Sequence, residues 1–239
     1  MSKVDVSIIL ACYNEGPTLE QEVAKIISVC RKSGKTWELV FVEDKSSDQT
    51  KAIVEKLNKR IVNSQAIYHR TNQGRGKSVS DGLKLAKGVI CGYLDVDLEI
   101  NADYIPIFLK EVENGTDMVV GKRFYEKPIR SLSRSLASRT YSQMVKFILK
   151  IPIEDTETGY KFFKKAKILP ILTKAHDKGW FWDTEICARA YWAGLKISQI
   201  PVLFIRRRDK KSTVKLISDS IKYIGALMVF RSQIPKSFK

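Results

Sequence analysis

Residues 89–99 read Val89-Ile90-Cys91-Gly92-Tyr93-Leu94-Asp95-Val96-Asp97-Leu98-Glu99, an apolar run followed by three alternating carboxylates. Six apolar residues after a glycine are typical of a buried β-strand. If the chain stays extended beyond this strand, its period of two places Asp95, Asp97 and Glu99 on one side. Three converging carboxylates repel one another, and a divalent cation with oxygen ligands would relieve that repulsion. The alternative is a solvated acidic turn.

Apolar strands and amphipathic helices alternate through the first 121 residues. The pattern predicts strands at Val6–Ala11, Trp37–Val42, Ala66–His69, Val89–Leu94 and Met118–Val120, and helices at Thr18–Arg31, Asp48–Arg60, Gly76–Lys87 and Asp103–Glu113. Such βα units form a mostly parallel sheet with right-handed crossovers and helices on both faces. We therefore expect an α/β fold.

Polar groups follow four of the predicted strands: Tyr13-Asn14-Glu15, Glu43-Asp44, Asp95–Glu99 and Lys122-Arg123. Ligands of parallel sheets bind beyond the carboxyl ends of the strands, so these groups are expected to line one site. Asp44 could accept hydrogen bonds from a base or a ribose. Ser46 and Asp48, in contrast, could simply cap the next helix.

A glycine-rich basic loop, Asn72–Lys77, opens the third predicted helix. Backbone N–H groups at the start of a helix can face a phosphate. The loop lacks the glycine spacing of a P-loop, and a single G-x-G is a weak signal. Phosphate contact and a plain connecting loop both remain open here.

The chain is strongly basic, with 42 Lys and Arg against 26 Asp and Glu and a net charge of +16. Eight basic residues and one acid lie between Lys122 and Lys150, and a second basic cluster spans Arg206–Lys211. This balance favours a polyanionic partner: nucleic acid, an anionic membrane or phosphorylated substrates. With only two histidines, a histidine-based zinc site or a Ser-His-Asp triad is not favoured. The four cysteines are widely spaced, as expected for reduced thiols in the core. No apolar run approaches the roughly 20 residues of a membrane span.

Two basic amphipathic helices are predicted after residue 121, at Arg130–Lys150 and Ser212–Arg231. Between them the pattern indicates strands at Tyr160–Phe163 and Ile197–Ile205, and a helix at Asp183–Trp192. Basic side chains beside an apolar stripe suit an anionic membrane surface. The alternative is that both helices pack their apolar stripes on the core.

The sequence Trp182-Asp183-Thr184-Glu185 forms a second acidic motif. Acids at positions i and i+2 do not share a helix face. We expect one of the two to line a pocket or cap the helix, and the other to pair with a base. Asp183 as a plain helix cap is the structural alternative.

Taken in order, six motifs resemble family 2 inverting glycosyltransferases of the GT-A fold: Tyr13-Asn14-Glu15, Val42-Glu43-Asp44, Asn72-x-Gly74-x-Gly76, Asp95-x-Asp97, Gly121-Lys122-Arg123 and Asp155-Thr156-x-Thr158-Gly159-Tyr160-Lys161. Within that family the chain is most similar to the dolichol-phosphate mannose and glucose synthases, over about residues 4–216. The resemblance implies a Rossmann-like GT-A catalytic domain over 1–211. It also implies an amphipathic, membrane-associated tail over 212–239.

The resemblance also implies roles for individual residues. Catalysis would fall to Asp95, Asp97, Arg123 and Arg134, and nucleotide binding to Ala11, Tyr13, Glu15, Val42, Asp44, Asp95, Val96 and Arg207. A metal, Mg²⁺ or Mn²⁺, would be held by Asp97, Glu99 and Asp95. The acceptor phosphate would meet Arg123, Arg134, Ser138 and Arg139, and the sugar or acceptor pocket would include Thr158, Gly159, Asp183 and Glu185.

The expected reaction is transfer of a hexose from a nucleotide-sugar to dolichyl phosphate at the cytoplasmic face of a membrane, with a membrane-anchoring partner subunit as a further expectation. Mannose is favoured because the absence of an N-terminal span resembles the short mannose synthases, whereas Trp182-Asp183-x-Glu185 resembles the glucose synthases. A lipid phosphate, with a second pKa of about 6, needs no strong general base. The alternatives are UDP-glucose as donor, a soluble glycan acceptor, a silent scaffold, and a basic nucleic-acid-binding module. The absence of Q-x-x-R-W argues against a processive synthase.

Overall fold

The computed structural model describes residues 4–125, 142–206 and 216–238, with the backbone alone for 216–221. The described strands are β1 (Val6–Cys12), β2 (Trp37–Glu43), β3 (Ser64–Tyr68), β4 (Ile90–Leu94), β5 (Met118–Phe124), β6 (Tyr160–Lys164) and β7 (Ile197–Leu203). The described helices are α1 (Leu19–Lys32), α2 (Thr50–Arg60), α3 (Arg75–Leu85), α4 (Ile105–Glu113), α5 (142–149), α6 (Lys165–Leu172), α7 (Trp182–Trp192) and α8 (Leu216–Arg231).

All seven described strands lie in one sheet, in the order β3-β2-β1-β4-β6-β5-β7. Strand β6 runs antiparallel to both β4 and β5, and the remaining neighbours are parallel. The predicted α/β fold with a mostly parallel sheet is thus confirmed. The carboxyl ends of β1, β2, β4 and β5 meet at one edge of the sheet, and the polar motifs follow them there.

Period-two alternation sends the side chains of β1 to two separate cores. Ile8 and Leu10 face a core built with α1, α2 and α4, whereas Ile9 faces a core built with α3, α6 and α7. All four cysteines are free and buried, as expected for core thiols. Burial raises the pKa of the Cys30 thiol to about 12, which keeps it protonated and unreactive.

Helix α8 packs one of its faces against α7. Phe230 stacks on Trp192 with ring centroids 5.2 Å apart, and Tyr223 meets Phe181 edge-on at 5.4 Å. Its other face exposes Ile224, Met228 and Val229 to solvent. The predicted Ser212–Arg231 helix is confirmed from residue 216 onward, and the predicted Arg130–Lys150 helix over 142–149, because the other residues of both lie outside the described ranges.

In the described part of the chain, no helix combines the length and the apolar character that a membrane crossing requires.

Candidate active site

A tight turn carries the three carboxylates that follow β4. The Leu98 N–H donates to the Asp95 carbonyl at 3.2 Å, and Leu98 has a left-handed φ of 50°. The prediction that Asp95, Asp97 and Glu99 share one side of an extended segment is therefore wrong, because the chain turns where the strand ends. Among the described residues, no three His, Cys, Asp or Glu side chains converge as a metal-binding group.

Arg75, the first residue of α3, joins this turn to α7. Its Nη2 and Nε donate to Asp95 Oδ1 at 2.6 and 3.2 Å, and its Nη1 donates to Asp183 Oδ2. The guanidinium lies over the rings of Tyr93 and Trp180, at 5.4 and 5.3 Å from their centroids. Burial opposes its charge, but the Asp183 and Asp95 carboxylates hold the pKa of Arg75 above its ordinary value.

Asp183 lies at the centre of a buried cluster. Its Oδ1 accepts a hydrogen bond from Lys161 Nζ at 2.6 Å and another from the Tyr93 hydroxyl. Burial raises the pKa of the Tyr93 phenol, and the Asp183 carboxylate raises it further, so the hydroxyl keeps its proton and donates. We call Arg75, Asp95, Lys161 and Asp183 the charged cluster; two positive and two negative side chains leave it neutral.

The helix-cap alternative for Asp183 is wrong. The N-cap position of α7 belongs to Phe181, whose side chain makes no capping hydrogen bond, and the Asp177 carboxylate accepts the N–H of Trp182 at 3.0 Å instead. Asp183 instead turns its carboxylate toward β4 and β6, because the cations and the hydroxyl that it needs lie on that side. It therefore lines the carboxyl edge of the sheet.

The Glu185 carboxylate holds the loop that precedes α7. It accepts the backbone N–H groups of His176 and Asp177 at 3.1 and 2.8 Å and pairs with Arg189 at 2.7 Å. That loop in turn supports the glycine-rich loop, since the Lys77 N–H donates to the Lys178 carbonyl at 3.1 Å. Glu185 thus pairs with Arg189 and supports the loop beside the site.

The Asp44 carboxylate anchors the glycine-rich loop from the end of β2. It accepts the backbone N–H groups of Gln73 and Gly74 at 2.7 and 2.8 Å, and His69 Nδ1 lies 2.7 Å away. Its side chain is buried by these contacts. Asp44 therefore fixes the loop beside the strand ends, a structural task that its sequence position did not reveal.

The other described residues predicted to hold a nucleotide lie at the ends of β1, β2 and β4. Ala11 pairs with Val42 in the parallel register of these strands, and Tyr13 follows β1 with an exposed ring. Val96 is buried in the turn after β4. Glu15 donates its backbone N–H to Thr50 Oγ1 at 2.7 Å, which ties this end of β1 to α2.

Gly159 lets the turn after β4 approach β6 closely. The Asp95 N–H donates to the Gly159 carbonyl at 3.0 Å, and a β-carbon on Gly159 would overlap the Asp95 carboxylate. Any side chain at this position therefore forces the Asp95 carboxylate to move. The adjacent Thr158 is buried, and its carbonyl accepts a hydrogen bond from Lys161 Nζ.

Gly159→Ala is expected to lower the free energy of unfolding by about 0.5–1.5 kcal/mol, because the half-exposed Asp95 carboxylate must move and its hydrogen bonds with Arg75 weaken. Urea denaturation followed by circular dichroism measures the change. Gly225→Ala is the control, because nothing lies within 4 Å of a β-carbon there and alanine favours the α8 helix. An unchanged stability of Gly159→Ala would contradict this close approach.

Arg123, at the end of β5, is held by Asp155. Its Nε and Nη2 donate to the two carboxylate oxygens at 2.7 and 2.8 Å, and Glu157 lies 3.6 Å from Nη2. Burial alone would raise the pKa of the Asp155 carboxyl, but Arg123 holds it below its ordinary value. Burial raises the pKa of Glu157, and Arg123 only partly opposes it. The predicted site residues Arg134, Ser138, Arg139 and Arg207 lie outside the described residues.

The polar ends of β1 and β2, the glycine-rich loop, the acidic turn after β4 and Arg123, held by Asp155, thus share one edge of the sheet. The sequence profile described as glycosyl transferase family 2 matches residues 7–171. The chain belongs to this family. The resemblance inferred from the motifs is therefore confirmed.

Curated relatives align with at least nine tenths of the chain. AglD, a glycosyltransferase of Haloferax volcanii, is 27% identical over 90% of this chain, which spans only 35% of AglD. The dolichyl-phosphate beta-glucosyltransferase ALG5A of Trichomonas vaginalis is 26% identical over 92% of this chain and 73% of its own length. The dolichyl-phosphate beta-glucosyltransferase of Saccharomyces cerevisiae is 27% identical over 96% of this chain and 75% of its own length.

Solved structures share the fold of this family 2 chain. Glucosyl-3-phosphoglycerate synthase from Mycobacterium tuberculosis, solved with UDP, superposes with a TM-score of 0.70 at 19% identity, covering 98% of this chain and 82% of its own. A mannosyltransferase from Pyrobaculum calidifontis, solved with GDP-Man and Mn²⁺, superposes with a TM-score of 0.62 at 16% identity. The superposition covers 87% of this chain and 59% of the mannosyltransferase. The expected GT-A fold is confirmed.

Proposed function

We propose that this family 2 chain transfers a hexose from a nucleotide-sugar to a polyprenyl phosphate, with dolichyl phosphate as the acceptor to test. The observation that carries the proposal is that two relatives named dolichyl-phosphate beta-glucosyltransferases align over more than nine tenths of the chain. A relative named undecaprenyl-phosphate 4-deoxy-4-formamido-L-arabinose transferase aligns over 90% of the chain, at 27% identity. The net charge of +16 suits two phosphorylated substrates.

The donor would lie along the ends of β1, β2 and β4. In this proposal the nucleoside contacts Ala11, Tyr13, Glu15, Val42, Asp44 and Val96, and Arg207 contacts the diphosphate. The anchored glycine-rich loop keeps its position through the two backbone hydrogen bonds to Asp44. A loop fixed before the substrate arrives loses little entropy on binding.

The turn after β4 fits a divalent cation, Mg²⁺ or Mn²⁺. Asp97 and Glu99 are half-buried carboxylates on that turn, and such hard oxygen donors suit either metal. Mg²⁺ characteristically takes one or two protein carboxylates and completes its shell with substrate phosphates. Asp97 and Glu99 would hold the ion, with Asp95 beside them. The ion would neutralise the leaving nucleoside diphosphate.

The acceptor phosphate would approach Arg123 at the end of β5, together with Arg134, Ser138 and Arg139. An ionised phosphate is itself the nucleophile, so the protein must supply positive charge and orientation rather than a base. Asp155 holds the Arg123 guanidinium in one orientation through two hydrogen bonds. In-line attack on an α-linked donor inverts the anomeric centre and gives a β-linked product.

We place the enzyme on the cytoplasmic surface of a membrane, with residues 1–211 as the catalytic domain and 212–239 as the tail. Support comes from the exposed apolar side chains Ile224, Met228 and Val229 on α8 and Phe147 on α5. Apolar side chains next to a basic surface favour binding at an anionic interface. A membrane-anchoring partner subunit is part of this proposal.

A donor screen tests the proposal. The purified chain is incubated with dolichyl phosphate and either radiolabelled UDP-glucose or radiolabelled GDP-mannose, and the label in the organic phase is counted. The names of the two dolichyl-phosphate relatives favour glucose as the hexose, whereas the sequence favoured mannose. Labelling from one donor identifies the hexose. Absence of labelling from both, in a folded preparation with Mg²⁺ or Mn²⁺, would contradict the proposal.

A further inference from the structure

Arg75 belongs to neither the predicted metal ligands nor the predicted acceptor residues, yet it contacts the first carboxylate of the acidic turn. We propose that Arg75 is a positioning residue that acts as the counter-ion of Asp95. It prevents the free enzyme from binding a divalent cation tightly, so that the cation binds mainly together with the donor diphosphate. This inference rests on the proposed function and refines its metal step.

The contacts of Arg75 fix its position from three sides. Asp95 accepts two of its hydrogen bonds through one oxygen, and Asp183 accepts a third. The rings of Tyr93 and Trp180 cover the guanidinium. Its side chain is only 12% exposed, so the positive charge cannot swing away into solvent.

Asp183 cannot release Arg75, because Asp183 is itself buried. Lys161 and the Tyr93 hydroxyl occupy its other oxygen, and the three groups come from β4, β6 and α7. Moving Arg75 away would leave a buried Asp183 short of one of its two cations, which is costly. Arg75 is therefore a fixed charge at the base of the turn.

Asp95 is the exposed member of the charged cluster, with 47% of its side chain accessible. Without Arg75 it would offer a second or third carboxylate to a cation at the turn. With Arg75 at 2.6 Å its charge is compensated, and an arriving divalent cation also meets the positive guanidinium. The negative diphosphate of a donor would offset the repulsion between the cation and the guanidinium, because the diphosphate attracts both of them.

The test measures binding of Mn²⁺ alone by the electron paramagnetic resonance signal of the free ion. Arg75→Gln removes the charge and keeps a hydrogen-bond donor. We expect its dissociation constant for Mn²⁺ alone to fall on the order of tenfold below that of the wild type. Arg75→Lys, which keeps the charge, should stay near the wild type, and Arg75→Gln with Asp95→Asn should return to it.

Arg189→Gln is the matched control. Arg189 is also 12% exposed, pairs with a carboxylate at 2.7 Å and lies 5.1 Å from the centroid of the Phe230 ring, but it lies on the far side of α7. Its loss should lower stability without changing Mn²⁺ binding. A purely structural role for Arg75 predicts the same outcome for both variants.

Unchanged or weaker binding of Mn²⁺ alone by Arg75→Gln, with a cooperative unfolding transition retained, would overturn the inference. If Arg75→Gln does not fold, weaker Mn²⁺ binding by the single variant Asp95→Asn would overturn it, because a compensated Asp95 contributes little to the free enzyme. The proposed function is judged separately. It requires wild-type enzyme to bind Mn²⁺ more tightly when UDP or GDP is added, whatever Arg75 does.

Discussion

Replacing Lys161 with methionine is expected to lower the free energy of unfolding by about 3–5 kcal/mol, the range for breaking a buried ion pair from one side. The Lys161 side chain is fully buried, and its Nζ contacts Asp183 and the Thr158 carbonyl. Methionine fills a similar volume but leaves Asp183 short of a cation. Urea denaturation followed by circular dichroism measures the effect.

Lys164→Met on the same strand is the control. Lys164 is 34% exposed and pairs with Asp117 at 3.2 Å, so its loss should cost about 1 kcal/mol or less. Adding Asp183→Asn to Lys161→Met should restore part of the lost stability, because it removes the uncompensated carboxylate. Equal losses from Lys161→Met and Lys164→Met would show that the buried pair is not the central contact described here.

Asp97→Ala is expected to lower the rate of hexose transfer by about a hundredfold or more, since the variant loses a proposed ligand of the catalytic cation. The fold should be kept, because Asp97 lies in a half-buried turn outside the cores. The rate is measured as radiolabel entering the organic phase with Mg²⁺ or Mn²⁺ present.

Asp103→Ala, which removes an exposed acid a few residues downstream, should retain nearly wild-type transfer. Raising the Mn²⁺ concentration should recover part of the activity of Asp97→Ala, and should leave Asp103→Ala unchanged. A wild-type rate for Asp97→Ala would remove the turn after β4 from the metal site.

The sheet could be predicted from the sequence because its signals are local. Residues 6–10 form a mostly apolar run, and polar motifs follow four of the first five predicted strands. Asp48 behaves as its residue type predicts: its carboxylate accepts the Thr50 N–H at 2.9 Å at the start of α2. These signals depend on neighbouring residues only.

The arrangement within the site could not be predicted in the same way. The alternation of Asp95, Asp97 and Glu99 looks extended, and only the left-handed Leu98 reveals the turn. Arg75 is 20 residues from Asp95 and 108 from Asp183 in sequence. Their pairing depends on how α3 and α7 dock on the sheet, which no local pattern records. The position of Arg75 between two glycines was the one signal available.

The central claim is that the hexose is transferred to the phosphate of a polyprenyl phosphate. The most direct test offers the purified chain one radiolabelled donor with either dolichyl phosphate or dolichol of the same length. The account predicts label in the organic phase with dolichyl phosphate alone, released again by mild acid. Equal labelling of dolichol, or transfer only to a soluble glycan, would contradict it.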